Sequence, residues 1–262
     1  VVEHPTIETP WDVLTHLPDL LARDLQHAQP QGSDAGQAQT YGEYHIDVHH
    51  LAQLFPGVVL DASKGAIRIE ENAVIRPNAV ICGPCWIGEH CTITDGALIK
   101  SNTVLGPHCK VGGEVGGTIF QGYANKSHDG HLGDSVVGEW VNFGAGTTNS
   151  NLLNTYGDVI LSDLTGKRHK TGRQFVGCFV GDHVKFAICS KIMTGTMIGT
   201  GAMVATTMQT TSPTKRFAWI TDSGERSFRI EKFLDVAKLV MQRRGKILDE
   251  ASEKILRKLA DG

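Results

Sequence analysis

No run in these 262 residues approaches the roughly 20 consecutive apolar residues that a membrane-spanning helix needs, so such a helix has no candidate segment. Charge of one sign is not in excess either. The 25 Lys and Arg against 28 Asp and Glu leave a net charge of −3, and neither nucleic acid nor a membrane surface is implied as the main partner. The opening stretch lacks a basic segment followed by an apolar run, so no signal peptide is visible and the cytoplasm is the expected compartment. A start at Val1 rather than Met reads as a fragment of a longer chain. Without a secretion signal the six cysteines (82, 85, 91, 109, 178 and 189) are expected to stay reduced. Cys82 and Cys85 form a CxxC with no second pair, and they read as small core-filling residues rather than zinc ligands. A GxSxG elbow is also missing and no cysteine has a base beside it, which weakens nucleophilic catalysis.

What is present is a beat of six. Ile69, Ile75, Ile81, Ile87, Ile93, Ile99, Leu105 and Val111 are aliphatic at that spacing, and Val180, Phe186, Ile192, Ile198 and Val204 resume it. Six fits neither the helical period nor a long strand; it suits a short strand plus a turn, repeated, with one inward side chain per unit. Three residues after each aliphatic come Asn72, Asn78, Pro84, His90, Gly96, Asn102 and His108, mostly types that tolerate positive φ at a tight turn. Pro84 is the misfit, since its ring forbids positive φ and that corner must turn another way. His90 and His108 share a place in this turn pattern, which accounts for them without a metal.

The flanks do not keep the beat. "TPWDVLTHLPDLLARDLQHA" reads as a helical segment or two starting near Thr9 or Pro10, and "QPQGSDAGQAQT" (29–40) as a polar linker. In "YHIDVHH" a helix would align His45 with His49, but solvated histidines suit the segment better than metal ligands. The repeat is interrupted at 112–131 and 149–174, where polar residues concentrate, and long loops on a rigid solenoid are natural places for a site. Residues 228–260 are amphipathic at helical spacing, with Phe233, Val236, Leu239 and Val240 on one stripe. The organisation expected is therefore 1–57 as a linker with a helical segment, 58–212 as the repeat domain, and 213–262 as a C-terminal extension with an amphipathic helix.

The chemistry concentrates in "NKSHDGHLGDSVVGEWVNFGAGTTNSN". Acyl transfer from a thioester to an amine needs a group that is neutral near pH 7 and takes a proton from the attacking nitrogen, and the imidazole of His128 fits without special tuning. "GAGTTNSN" can offer backbone and amide donors to a developing oxyanion. The structural alternative is that "LGDSVVGEWVNFGAG" is simply more coils with Val137 and Phe143 inward. That leaves Lys126, His128, His131, Asn142, Asn149 and Asn151 gathered around those coils without a reason.

At these residues, together with "GKRHKTGRQFVGCFVGDHVK" and the hexapeptide runs, the sequence resembles the acetyltransferase half of the bifunctional glucosamine-1-phosphate N-acetyltransferase/uridylyltransferases, in their archaeal form or a divergent bacterial branch, over about residues 58–245. The resemblance implies a mainly β fold, a left-handed parallel β-helix in which three short strands make one triangular coil, and assembly as a homotrimer with sites between subunits. It implies acetyl-CoA as donor, an amino-sugar phosphate as acceptor, no metal, and a place in nucleotide-sugar biosynthesis. It puts the catalytic base on His128 and an asparagine near the acetyl carbonyl on Asn151. The acceptor would meet Lys100, Lys126, His131 and Asn142. The donor would lie along Ala145, Ala187 and Ala205, with Lys215 or Arg216 at its phosphates.

The departures bear on the acceptor. Lys100 stands where the family has an arginine and supplies charge without a bidentate fork. Gly116, after Glu114 and Val115, stands where the family has a lysine. Each lost charge-assisted hydrogen bond is worth roughly 1.5–3 kcal/mol, so the acceptor need not be glucosamine-1-phosphate itself. The nucleotidyltransferase half of such enzymes is absent from this chain. Two further readings stand beside an acetyltransferase: a trimerising solenoid that regulates an attached nucleotidyltransferase, and a metal hydratase on the same fold, against which Lys126 and the asparagines argue.

Overall fold

Ile69, Ile87 and Leu105 lie directly above one another in parallel register, and Ile75 with Ile93 and Ile81 with Ile99 do the same on two other walls. All are at most 1% exposed. The beat of six is thus the geometry of a triangular β-solenoid, seen here in a computed structural model that describes residues 5–31, 35–211 and 213–261. One strand per wall contributes one inward side chain, and each fully buried aliphatic side chain is worth about 1.5–3 kcal/mol. The walls are parallel sheets. The first face runs from Gln39–Tyr41 through Val80–Cys82 to His131–Gly133, and Thr148–Asn149, Lys191–Ile192 and Gln209–Thr210 continue the stack as a further sheet. The second runs from Ile46–Val48 to Thr196–Ile198, and the third from Gln53–Leu54 through Asn125–Lys126, Asn142 and Lys185–Phe186 to Ala218–Thr221.

The turn column behaves as its residue types dictate. Asn72, Asn78, His90, Gly96, Asn102 and His108 all have φ between 55° and 66°. At Pro84 the corner is made with a cis Gly83–Pro84 peptide instead. His90 and His108 are stacked rings 4.7 Å apart, and the column continues through Tyr123, Trp140 and His183 as a ladder of rings along the corner between the second and third faces.

Several sequence expectations need correction. The solenoid begins at Gln39 rather than at residue 58: Gln39–Tyr41 pairs with Val59–Asp61, and Ile46–Val48 with Ile67–Ile69. The end of the polar segment 29–40 is therefore strand, while its residues 32–34 lie outside those described. His45 and His49 flank a strand, not a helical face. The first interruption is not an insertion, because Glu114–Gly116, Ile119–Phe120 and Asn125–Lys126 complete a coil whose shortened corner throws the beat off. Residues 228–260 form two helices, broken around Gly245 at φ 67°.

At the start of the N-terminal helix α1 (Asp12–His27) the Asp12 carboxylate accepts the backbone N–H groups of Glu8 and Thr9 at 3.0 and 2.8 Å, which ties the preceding segment to the first turn. It lies against the second face. The C-terminal helices α2 (Ile230–Gln242) and α3 (Glu250–Asp261) bury Phe233, Leu234, Ala237 and Leu256 with Phe217 and Phe228. Leu239, assigned to the buried stripe from its spacing, is 63% exposed. Among the described residues no helix is long and apolar enough to cross a membrane.

Candidate active site

Lys126 occupies an inward position, paired with Val111 on the coil before it, and is only 2% exposed. Its stem lies in the aliphatic column while the ammonium reaches the corner between the third and first faces, where Nζ donates to the carbonyl oxygens of Gly112 (3.1 Å), His128 (3.1 Å), Asp129 (3.4 Å) and Gly130 (2.7 Å). Burial pulls the Lys126 ammonium down to about 8. Lys126 therefore does not present its charge to a ligand. It staples the loop 127–130 from inside, and on the outside of that loop His128 is exposed.

Below His128 the same corner is lined by small residues. Strand register stacks Ser127 on Gly144, Gly144 on Ala187 and Ala187 on Ala205, with Ala145 beside Gly144 in its turn. A Cβ on Gly144 would stand 2.5 Å from the backbone of Ala187, so nothing larger than glycine fits. The three alanines thus share one corner with His128. Lys215 and Arg216 do not: they lie at the corner between the second and third faces, in a cavity of about 390 Å³ lined by Phe217, Phe228 and Leu259.

Asn142 sits on the third face one coil beyond Asn125, whose Nδ2 donates to its Oδ1 at 2.9 Å. Lys185 follows in the same outward row, donates to the Trp140 carbonyl, and is pulled down to about 8 by burial. Asn125 and Lys185 were not singled out from the sequence, although Lys185 precedes the inward Phe186 as Asn142 precedes the inward Phe143.

Lys100, His131 and Asn151 come together on the other side of the corner, in a first-face pocket of about 450 Å³ that also takes in Cys82, Gly116, Gly133, Asp134 and Phe175. Gly116 and Gly133 form its floor; a Cβ on Gly133 would lie 2.6 Å from His131 Cε1 and 2.7 Å from Asn151 Nδ2. The Nδ1–H of His131 donates to the Asn149 carbonyl at 3.3 Å. Asn151 Nδ2 donates to Asp134 Oδ2 at 2.7 Å, and burial pushes the Asp134 carboxyl up. Lys100 Nζ is 3.0 Å from Glu114 Oε1, so its charge is already matched. Asn149 is spent differently. It points inward at 6% exposure, accepts from Gly133 N–H, and donates to Gly133 O and Ser135 Oγ.

Residues 66–101 match the family described as bacterial transferase hexapeptide (six repeats). A bifunctional sugar-1-phosphate nucleotidylyltransferase/acetyltransferase of Sulfurisphaera tokodaii is 36% identical over 143 residues, which are 54% of this chain and 35% of that protein. The bifunctional protein GlmU of Methanococcus maripaludis is 36% identical over 142 residues (53% and 34%), and that of Ruthia magnifica 28% identical over 205 residues (70% and 40%). The chain spans well under half the length of these relatives. The chain thus carries a matched hexapeptide repeat within parallel triangular coils and is similar to the bifunctional sugar-1-phosphate nucleotidylyltransferase/acetyltransferases, archaeal ones included.

Proposed function

We propose that the chain is an acetyl-CoA-dependent N-acetyltransferase acting on an amino-sugar phosphate, with His128 as general base. The observation that carries this reading is the exposed imidazole on a corner loop stapled by a buried ammonium, directly above a column of small residues. An extended thioester donor can lie along Ala145, Ala187 and Ala205, whose side chains are short. The acceptor amine attacks the thioester carbon, the C–N bond forms as the C–S bond breaks, and His128 takes the ammonium proton and returns it to the leaving thiolate. Asn151 is assigned to the acetyl carbonyl oxygen, and Lys100, His131 and Asn142 to the acceptor. Lys126 positions the loop. Lys215 and Arg216, at another corner of the chain, are assigned to the donor phosphates of a neighbouring copy in a trimer with sites between protomers. The donor makes the cytoplasm the natural compartment.

A second reading draws on Lys100. With its charge held by Glu114 and with Gly116 opposite, the pocket grips a phosphate weakly, as a solenoid that only trimerises and regulates an attached nucleotidyltransferase would. Incubation with acetyl-CoA and glucosamine-1-phosphate, the unphosphorylated amino sugar or other amino-sugar phosphates separates the two. Acceptor-dependent release of free CoA, read with a thiol dye, is expected. Sugar-phosphate binding without CoA release from any acceptor establishes the regulatory reading instead.

A further inference from the structure

The insertion 152–176 leaves the solenoid right after Asn151 and returns at Gly177. Its two ends are tied to the pocket. Val176 N–H donates to Asn151 O at 2.9 Å, Gly177 N–H to Asp134 O at 2.7 Å, and Leu152 bridges Phe175, which lines the pocket. The body of the insertion is a two-stranded antiparallel hairpin, Ile160–Ser162 with Arg168–Lys170. A hairpin of this size is marginal by itself and needs a partner surface.

That surface is shared by α1 and the second face. Val159, Leu161 and Val176, at most 2% exposed, are buried with Trp11 (7%), Leu14 (3%) and Phe179 (7%) of the second face, and the hairpin strand Ile160–Ser162 also packs on Thr196–Ile198. Arg173 Nη1 donates to Thr15 Oγ1 at 3.1 Å, and the Trp11 and His169 rings lie 5.4 Å apart. Downstream of the helix, the chain is pinned to the second face by the Arg68 guanidinium, which bonds Gln29 O and Asp47; Asp47 in turn accepts the Gln31 N–H. Between these anchors a groove of about 970 Å³ opens between Val13, Leu17 and Leu20 of the helix and Trp86, Val104 and Ile119 of the sheet. The middle of α1 is anchored beside this groove by Leu17 and Leu21, 6% and 4% exposed, so the two ends add to a buried central contact.

We propose that α1 is a strap that sets the shape of the first-face pocket, with Trp11 and Arg173 as positioning residues for the acceptor. Trp11 clamps the insertion, the insertion holds Phe175 and Asn151, and Asn151 holds Asp134. Whatever moves α1 moves the acceptor side of the pocket while leaving the His128 loop, which Lys126 fixes independently, in place. The acceptor role of the pocket rests on the acetyltransferase reading above; the mechanical coupling does not.

The test is Trp11→Ala in the full chain, with Trp11→Phe as the conservative variant, read by amide hydrogen exchange and by turnover. In Trp11→Ala, exchange over 151–177 is expected to speed up at least tenfold while the core strands 85–87 and 103–105 keep their protection. KM for the acceptor is expected to rise several-fold and kcat to fall with it, since Asn151 is assigned to the acetyl carbonyl, and Trp11→Phe to restore both. Unchanged exchange over 151–177 overturns the strap, as does faster exchange with an unaltered acceptor KM. Should the wild-type chain transfer no acetyl group, the acetyltransferase reading fails separately; exchange, with sugar-phosphate affinity in place of KM, still decides the strap.

Discussion

Replacing Lys126 by methionine should separate folding from function. The ammonium has three protons and four carbonyl neighbours, the nearest being Gly130 O at 2.7 Å with Gly112 O and His128 O at 3.1 Å. Methionine fills most of the stem's volume but donates nothing. The His128 and Asp129 carbonyls belong to exposed residues and can turn to water, whereas those of Gly112 and Gly130 lie deeper, and each orphaned acceptor costs about 1–3 kcal/mol. Against this, depression of the Lys126 ammonium from 10.5 to about 8 marks a cost of about 3 kcal/mol in keeping the charge inside, which methionine does not incur. The two nearly offset, so stability should stay within about 2 kcal/mol of wild type by urea unfolding. The loop is another matter. Without its staple His128 drifts, and a displacement of about 1 Å costs on the order of 100-fold in rate. CoA release should fall by that amount, with faster amide exchange confined to 127–130. A variant with wild-type turnover and an ordered loop, or one that fails to fold at all, refutes this reasoning.

Three further outcomes follow from named residues. Asn102 has φ 60°, so Asn102→Ala should cost about 1 kcal/mol in urea unfolding while Asn102→Gly stays near neutral. His183 is buried and pulled down from 6.5 to about 3, so it remains neutral when folded while the unfolded chain takes up a proton; its contribution is complete above pH 6.5 and lost as pH falls toward 3. The difference in unfolding free energy between wild type and His183→Phe should change by about 1.4 kcal/mol per pH unit in that window, and a pH-independent difference contradicts it. Of the six thiols Cys189 is the exposed one, while burial pushes Cys178 up to about 12, so a thiol reagent should label Cys189 first and acetyl-CoA should slow that labelling if the donor lies along Ala187 and Ala205.

The solenoid was legible because its physics repeats: the same demand, one apolar side chain inward and one residue with positive φ at the corner, is made coil after coil. Ile69 to Val111 and Asn72 to His108 answered it in plain view. Where a coil deviates, the pattern misleads. Lys126 fills an inward place that spacing alone marks as a polar insertion, because a long stem can bury while its head reaches carbonyls several residues away. The first coil, from Gln39 to Leu54, hid behind the glycines and polar residues of its surroundings. Asn149 looked like an oxyanion donor until its amide was seen to close a hydrogen-bond circuit with Gly133 and Ser135. Lys100, His131 and Asn151 share one pocket, whereas Asn142, expected with Lys100 and His131, lies on the third face and Lys126 is buried; Phe175 enters the pocket through its pairing with Leu152 across the insertion, which no local pattern announces.

The central claim is tested most directly by the rate of acceptor-dependent CoA release in His128→Ala compared with wild type, both shown to be folded by their urea transitions. Loss of a general base predicts a drop of about 10²–10⁴-fold, with the acceptor KM little changed. Turnover in His128→Ala at the wild-type rate would contradict it.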